Sequence, residues 1–158
     1  MPERLITHED FGALAGEVLK KGGSFRFQAH GSSMRPFILN GETIQLTPVA
    51  ADRLHRGDIV LCWRSKDKLL LHRVIRIQKT IHGSSLLIQG DASCWPDGII
   101  PGENVLGQAT AVLRKGKWIP FNSPPWVFLS GLWLLSIPIR RIAARLAGKW
   151  GKKAKRFS

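Results

Sequence analysis

Cysteine is scarce in this 158-residue chain: Cys62 and Cys94 stand far apart with no Cys-x-x-Cys spacing. That gives no support to a thiolate zinc site or a disulfide framework, both of which need more cysteines at closer spacing. Whether these two pair with each other is open from sequence, and so is the redox compartment. Long apolar runs are also missing. A spanning helix wants about twenty apolar residues, and the longest stretch, Trp126–Ile139, has fourteen, with Gly131 and Pro138 inside it. The opening Met1-Pro2-Glu3-Arg4-Leu5-Ile6 has no apolar h-region, so no secretory signal is expected. From Trp126 to the end there is no acid at all, and eight Lys or Arg give +8. Residues 1–125 carry 16 basic and 11 acidic residues, so most of the net +13 belongs to the tail. A basic excess placed this way is a poor sign of specific nucleic-acid binding; a tail alone would bind non-specifically and with steep salt dependence.

What remains is enough for one domain with a real core. Thr7 with Asp10 resembles a capping box and Gly22 supplies a stop, so the spacing predicts a helix over about His8–Lys21, with Phe11, Leu14, Ala15 and Val18 on one face. The period then changes to two. Phe25 and Phe27 alternate with Arg26 and Gln28, a strand that leads into the turn Gly31-Ser32-Ser33. Asn40-Gly41 is a hairpin signal before a return strand at Thr43–Leu46. Further strands are expected at Asp58–Trp63, Leu69–Ile77, Leu86–Gln89, Val105–Leu113 and Trp118–Phe121. His82-Gly83-Ser84-Ser85 is expected to turn, and Gly90–Gly102 to form a loop. Many short strands with regular turns mean a mainly β domain, a partly open barrel. The organisation expected is an N-terminal helix in residues 1–23, a β-rich domain in 24–122, and a Pro break at Ser123-Pro124-Pro125 followed by an apolar helix and basic tail in 123–158. No internal repeat is present.

Three residues carry chemistry in combination. Ser33 puts a hydroxyl on a tight Gly/Ser turn, His72 lies in the β-rich run Leu71-His72-Arg73-Val74-Ile75, and Asp97 follows Gly90-Asp91 in a later loop. A serine is a poor nucleophile until a base stands within hydrogen-bond reach, and an imidazole, titrating near ~6.5, suits that task. A carboxylate then orients the imidazole. Such a set, if it meets in space, cleaves peptide bonds and needs no metal or cofactor. Singly, each has an ordinary explanation: packing for His72, turn chemistry for Ser32 and Ser33, an Asx-turn for Asp91, a turn dipeptide for Asp97-Gly98.

The order of four boxes goes further. Ser33-Met34-Arg35-Pro36, Arg56-Gly57-Asp58-Ile59-Val60, His72-Arg73-Val74-Ile75, and Gly90-Asp91 with Asp97 resemble the signal peptidase I superfamily over roughly Phe25–Thr110. That family cleaves leader peptides after small side chains, and related members are self-cleaving repressors; the resemblance implies the corresponding partly open β-barrel. Most bacterial members hold a lysine where His72 stands, so the chain resembles the Ser–His branch typical of endoplasmic-reticulum and archaeal enzymes. The resemblance implies Ser33 as nucleophile, His72 as general base and Asp97 as its orienter. Asp91 would support the loop; Ser32 could add to the oxyanion site, although its position is not the one the family uses, and Lys68, on the same strand parity as His72, is the fallback base. Gly31 stands where many relatives have a serine, so the oxyanion would rely on backbone N–H groups, chiefly that of Ser33. A precursor peptide is expected to lie along the strand of Phe25, Phe27 and Ala29.

Relatives usually begin with a membrane-spanning helix, which is not expected here. Residues 126–158 are expected to associate with a membrane surface instead, with Trp126, Trp133 and Trp150 at the interface and Arg140, Arg141 and Arg145 snorkelling. The alternative is a helix packed on the domain with a solvated tail, in a cytoplasmic protein. Two other functions stand beside the peptidase: a catalytically silent peptide-binding module and a self-cleaving repressor-like regulator. The intact Ser33, His72 and Asp97 count against the first. The twenty-odd residues before Phe25 are too few for the DNA-binding domain the second would need.

Overall fold

Among the described residues, eight antiparallel strands carry the fold, flanked by one short α-helix and one long one. The computed structural model describes residues 7–81 and 83–154, with side chains as far as Ala147. Helix α1 spans His8–Lys20. The Thr7 hydroxyl caps it by accepting from the Asp10 N–H at 3.1 Å, and Glu9 and Asp10 sit at its positive end. Its buried face is Gly12, Ala15, Gly16 and Leu19, while Leu14, expected inside, is half exposed. Small residues explain the rotation. Gly12 lies so close to the Trp63 ring that a Cβ there would stand 2.1 Å from it, which draws this face onto the sheet rather than the Leu14 face.

The strands are β1 Phe25–Gln28, β2 Thr43–Thr47, β3 Ile59–Ser65, β4 Lys68–Thr80, β5 Gly83–Gln89, β6 Gly98–Pro101, β7 Val105–Arg114 and β8 Lys117–Pro120. They form an open sheet in the order β1-β2-β7-β3-β4-β5-β6, with β8 paired to β7. Strand β3 explains how one sheet serves two cores. Ile59, Val60, Leu61 and Cys62 are all buried: Ile59 and Leu61 join Leu19, Ile44, Leu46 and Val112, and Val60 and Cys62 join Val74, Leu86, Ile88 and Ile100. A strand covered on both faces reads as a continuous apolar run, and this one does.

Two local expectations change. Ser84 and Ser85 lie inside β5 rather than in a turn (His82 is outside the described residues). The stretch Gly90–Gly102 is not all loop, because β6 pairs with β5 through Leu86↔Ile100 and Leu87↔Ile99. Gly98 and Pro101 at its ends hide a strand only four residues long.

Helix α2 spans Pro124–Ala154 and begins two residues before Trp126, since proline is well tolerated in a first helical turn. Trp126, Ser130, Leu134 and Ile137 form its buried row. Trp126 stacks on Phe121 at 4.1 Å and meets Phe37 edge-on at 5.4 Å. The segment Pro124–Ala147 is long and apolar enough to cross a membrane or associate with one.

Candidate active site

The loop between β1 and β2 carries Ser33. Its base is closed by Ala29 N–H donating to the Glu42 carbonyl and Gly41 N–H donating to the Ala29 carbonyl, both at 2.8 Å. Gly31 N–H donates to Asn40 Oδ1 at 2.8 Å. Met34, Phe37 and Ile38 are buried and pin the loop to the core, while Ser32 and Ser33 are exposed at its tip. Gly31 has φ +102°, a left-handed conformation that a side chain would strain. Ser32 serves the turn itself, its carbonyl accepting from the Arg35 N–H at 3.2 Å.

His72 comes from the middle of β4, where Val60↔His72 pairs it to β3 and the adjacent Arg73↔Gln89 pairs the strand to β5. A central strand held on both sides fixes the direction of the imidazole. Its Nδ1 stands 2.8 Å from Asp97 Oδ2. Nδ1 is buried, and the Asp97 carboxylate is the charged group set against it. The same Oδ2 accepts from the Gly90 N–H at 3.0 Å, and the Asp97 N–H donates to the Ile88 carbonyl at 2.9 Å. Burial pushes the His72 pKa below the usual imidazole value, and the Asp97 carboxylate opposes that push. The imidazole is therefore largely neutral at pH 7, as a general base must be.

Gly90 is where the Ser33 loop and the histidine meet. A Cβ placed on it would lie 2.8 Å from the Ser33 carbonyl oxygen and 3.1 Å from His72 Nε2. The Ser33 carbonyl also accepts from the Ala92 N–H at 2.9 Å. Residues far apart in sequence thus converge on one glycine: Ser33 from the first loop, His72 from β4 and Asp97 from the loop after β5.

Asp91 is the other carboxylate of this loop. It is buried against Arg73, which donates through Nε and Nη2 at 2.7 Å each. Burial pushes the Asp91 carboxyl up and the guanidinium opposes that rise. Arg73 also donates to the Gly57 carbonyl at 2.9 Å and to Ser130 Oγ at 3.3 Å, and its guanidinium lies 4.6 Å from the centre of the Phe37 ring. This buried fork ties β4 to the loop of Asp97, to the Ser33 loop and to α2. Arg73 stands in the box His72-Arg73-Val74-Ile75, but the sequence assigns it no role of its own. An arginine in an alternating strand reads as a solvent-facing residue, and nothing in the local pattern shows that it is almost wholly buried.

A cleft of about 740 Å³ opens beside these residues. Ser33 and His72 line it together with Phe27, Gln28 and Ala29 from the sheet-edge end of the molecule. Phe25 instead packs against Phe11 at 5.5 Å and does not line the cleft. Lys68 is exposed at the start of β4. Cys62 and Cys94 are both free thiols, and burial pushes the Cys62 thiol up to about 12, which leaves it inert. No protein-family model matches this chain, and no curated protein matches it.

Proposed function

We propose that this chain is a serine endopeptidase of the Ser–His–Asp kind, with the barrel and chemistry of the signal peptidase I superfamily that its four sequence boxes resemble. The observation that supports this best is the convergence at Gly90: Nδ1 of His72 stands 2.8 Å from Asp97, while Nε2 lies beside the Ser33 loop at the rim of an open cleft. In this reading a precursor peptide lies extended along β1, whose outer edge has no neighbouring strand among the described residues, with a small residue before the bond to be cut. Ser33 Oγ attacks the carbonyl carbon as its proton passes to His72 Nε2. The tetrahedral oxyanion is held by backbone N–H groups, chiefly that of Ser33. Collapse breaks the C–N bond, and His72 returns the proton to the leaving amine. Water, activated by the same histidine, then hydrolyses the acyl-enzyme. Asp97 fixes the imidazole tautomer and steadies the imidazolium that forms.

Cleavage of a library of leader-like peptides by wild type, Ser33→Ala and His72→Ala tests the proposal. Peptidolysis that needs both side chains supports it. Activity that survives Ser33→Ala contradicts it.

A further inference from the structure

Helix α2 has two faces of opposite chemistry. On the inner face, Arg140 Nη1 donates to the Asp91 carbonyl at 3.0 Å and, more weakly, to the Ser93 carbonyl at 3.5 Å. Arg141 donates from Nε to the Cys94 carbonyl and from Nη2 to Gln89 Oε1, each at 3.0 Å. Gln89 in turn donates to the Ser93 carbonyl at 2.7 Å. These arginines point into the protein rather than snorkelling away from it. They grip residues 89–94, and Asp97 lies three residues beyond that grip.

The outer face is apolar and bare. Phe128, Leu132, Leu135, Ile139, Ile142 and Leu146 are each about half exposed or more, Leu135 and Ile139 at 68% and 69%. They run along a segment about 36 Å long at ~1.5 Å per residue. No acidic residue follows Glu103, and Trp126–Ser158 carries eight Lys or Arg. Even without the inward Arg140 and Arg141, six basic residues argue against a second copy as the cover, because it would set like charge against like. They suit anionic headgroups. Crossing the bilayer is disfavoured by the inner face, since Ser130, Arg140 and Arg141 would have to leave their partners or carry them into hydrocarbon. Lying in the interface keeps those bonds and covers the apolar strip.

We propose that α2 rests flat on an anionic lipid bilayer by this outer strip, and that docking, by holding α2 in place, steadies the loop of Asp97 through Arg140 and Arg141. The two arginines are positioning residues; only their consequence for catalysis rests on the peptidase reading.

The test uses the full chain, vesicles of phosphatidylcholine with or without phosphatidylglycerol, and two variants. Leu135→Gln/Ile139→Gln/Ile142→Gln alters the outer face; Arg140→Gln/Arg141→Gln alters the inner. Flotation reads docking, and hydrogen exchange at the Ala92 and Asp97 amides reads the loop. Wild type should float with the anionic vesicles and gain protection at both amides. The outer variant should keep its far-ultraviolet circular dichroism yet bind at least about tenfold more weakly, through lost apolar burial. The inner variant should float like wild type without the gain in protection and, in a peptidase assay, lose kcat with little change in KM. A chain that stays unbound on anionic vesicles, or that dimerises through the outer strip instead, overturns the docking. Flotation with unchanged amide protection overturns the coupling. Flotation and exchange need no turnover, so an inactive chain that passes both would sink the peptidase reading alone.

Discussion

Replacing Gly90 by alanine probes the site with a single methyl group. The added Cβ would stand 2.8 Å from the Ser33 carbonyl oxygen, 3.1 Å from His72 Nε2 and 3.4 Å from Cε1. Ordinary contact begins near 3.4 Å, so the Ser33 carbonyl must retreat by about 0.6 Å and the imidazole by about 0.3 Å. Neither retreat is free. The carbonyl is held by the Ala92 N–H, and the imidazole is held between the β4 backbone and Asp97. Overpacking of this kind costs about 1–3 kcal/mol of stability, and misplacing reacting groups by ~1 Å costs about 10²-fold in rate. Gly90→Ala should therefore fold, melt at a lower temperature, and lose ~10- to 100-fold in kcat/KM. The control is Gly131→Ala, where a Cβ meets nothing within 4 Å; on a helix it should be neutral or stabilising by up to ~1 kcal/mol, with activity intact. Thermal denaturation and peptide cleavage on both variants decide the matter. If Gly90→Ala kept wild-type kcat/KM, the convergence of Ser33 and His72 on this glycine would have no bearing on catalysis.

Other predictions rest on the surroundings of His72. Asp97→Asn should lower kcat by about 10²–10⁴-fold, the range of a positioned acid–base group, with little loss of folding by circular dichroism. Because burial depresses the His72 pKa and Asp97 opposes it, the acid limb of kcat/KM should fall below the usual imidazole value, and Asp97→Asn should move it further toward acid; a limb that shifts upward refutes this assignment of the base. The same depression makes neutral His72 favour the fold above the unfolded value near ~6.5, and that contribution declines as pH drops through this value toward the folded pKa. Chemical denaturation of wild type and His72→Gln across that window should show the difference. Asp91→Ala should cost about 3–5 kcal/mol by leaving Arg73 buried and unpaired, whereas Arg73→Met with Asp91→Leu should recover much of that loss in urea unfolding.

How much of this was legible in the sequence depends on the range of the interaction. The strands of β1, β3, β4 and β7 could be read because alternation and buried runs are local, and the start of α1 because a cap is local. The phase of α1 could not, since it was set by Trp63 reaching Gly12 from another element. Strand β6 was hidden for the same reason: four residues between glycine and proline become a strand only when β5 offers its edge. For the site, Ser33, His72 and Asp97 were named from their order along the chain, and the structure brings the loop of Ser33, His72 and Asp97 together around Gly90. Gly90 stood in one of the four boxes, but nothing local showed that its bare Cα would lie against the Ser33 carbonyl and His72. Phe25 stands on β1 as expected, but of the two phenylalanines there that meet Phe11 only Phe27 also lines the cleft, a difference that depends on packing across elements. Arg140 and Arg141 were misread as headgroup-seeking, because a basic helix end gives no hint that loop carbonyls lie within 3.0 Å of it.

The most direct measurement is the mass of the acyl-enzyme. Acid quenching of the full chain during turnover of an activated ester of a small-residue peptide, followed by mapping of the adduct, should place the acyl group on Ser33. It should be absent from Ser33→Ala and accumulate far more slowly in His72→Ala. An adduct on any other residue, or turnover with Ser33 replaced, would contradict the assignment of Ser33 as nucleophile.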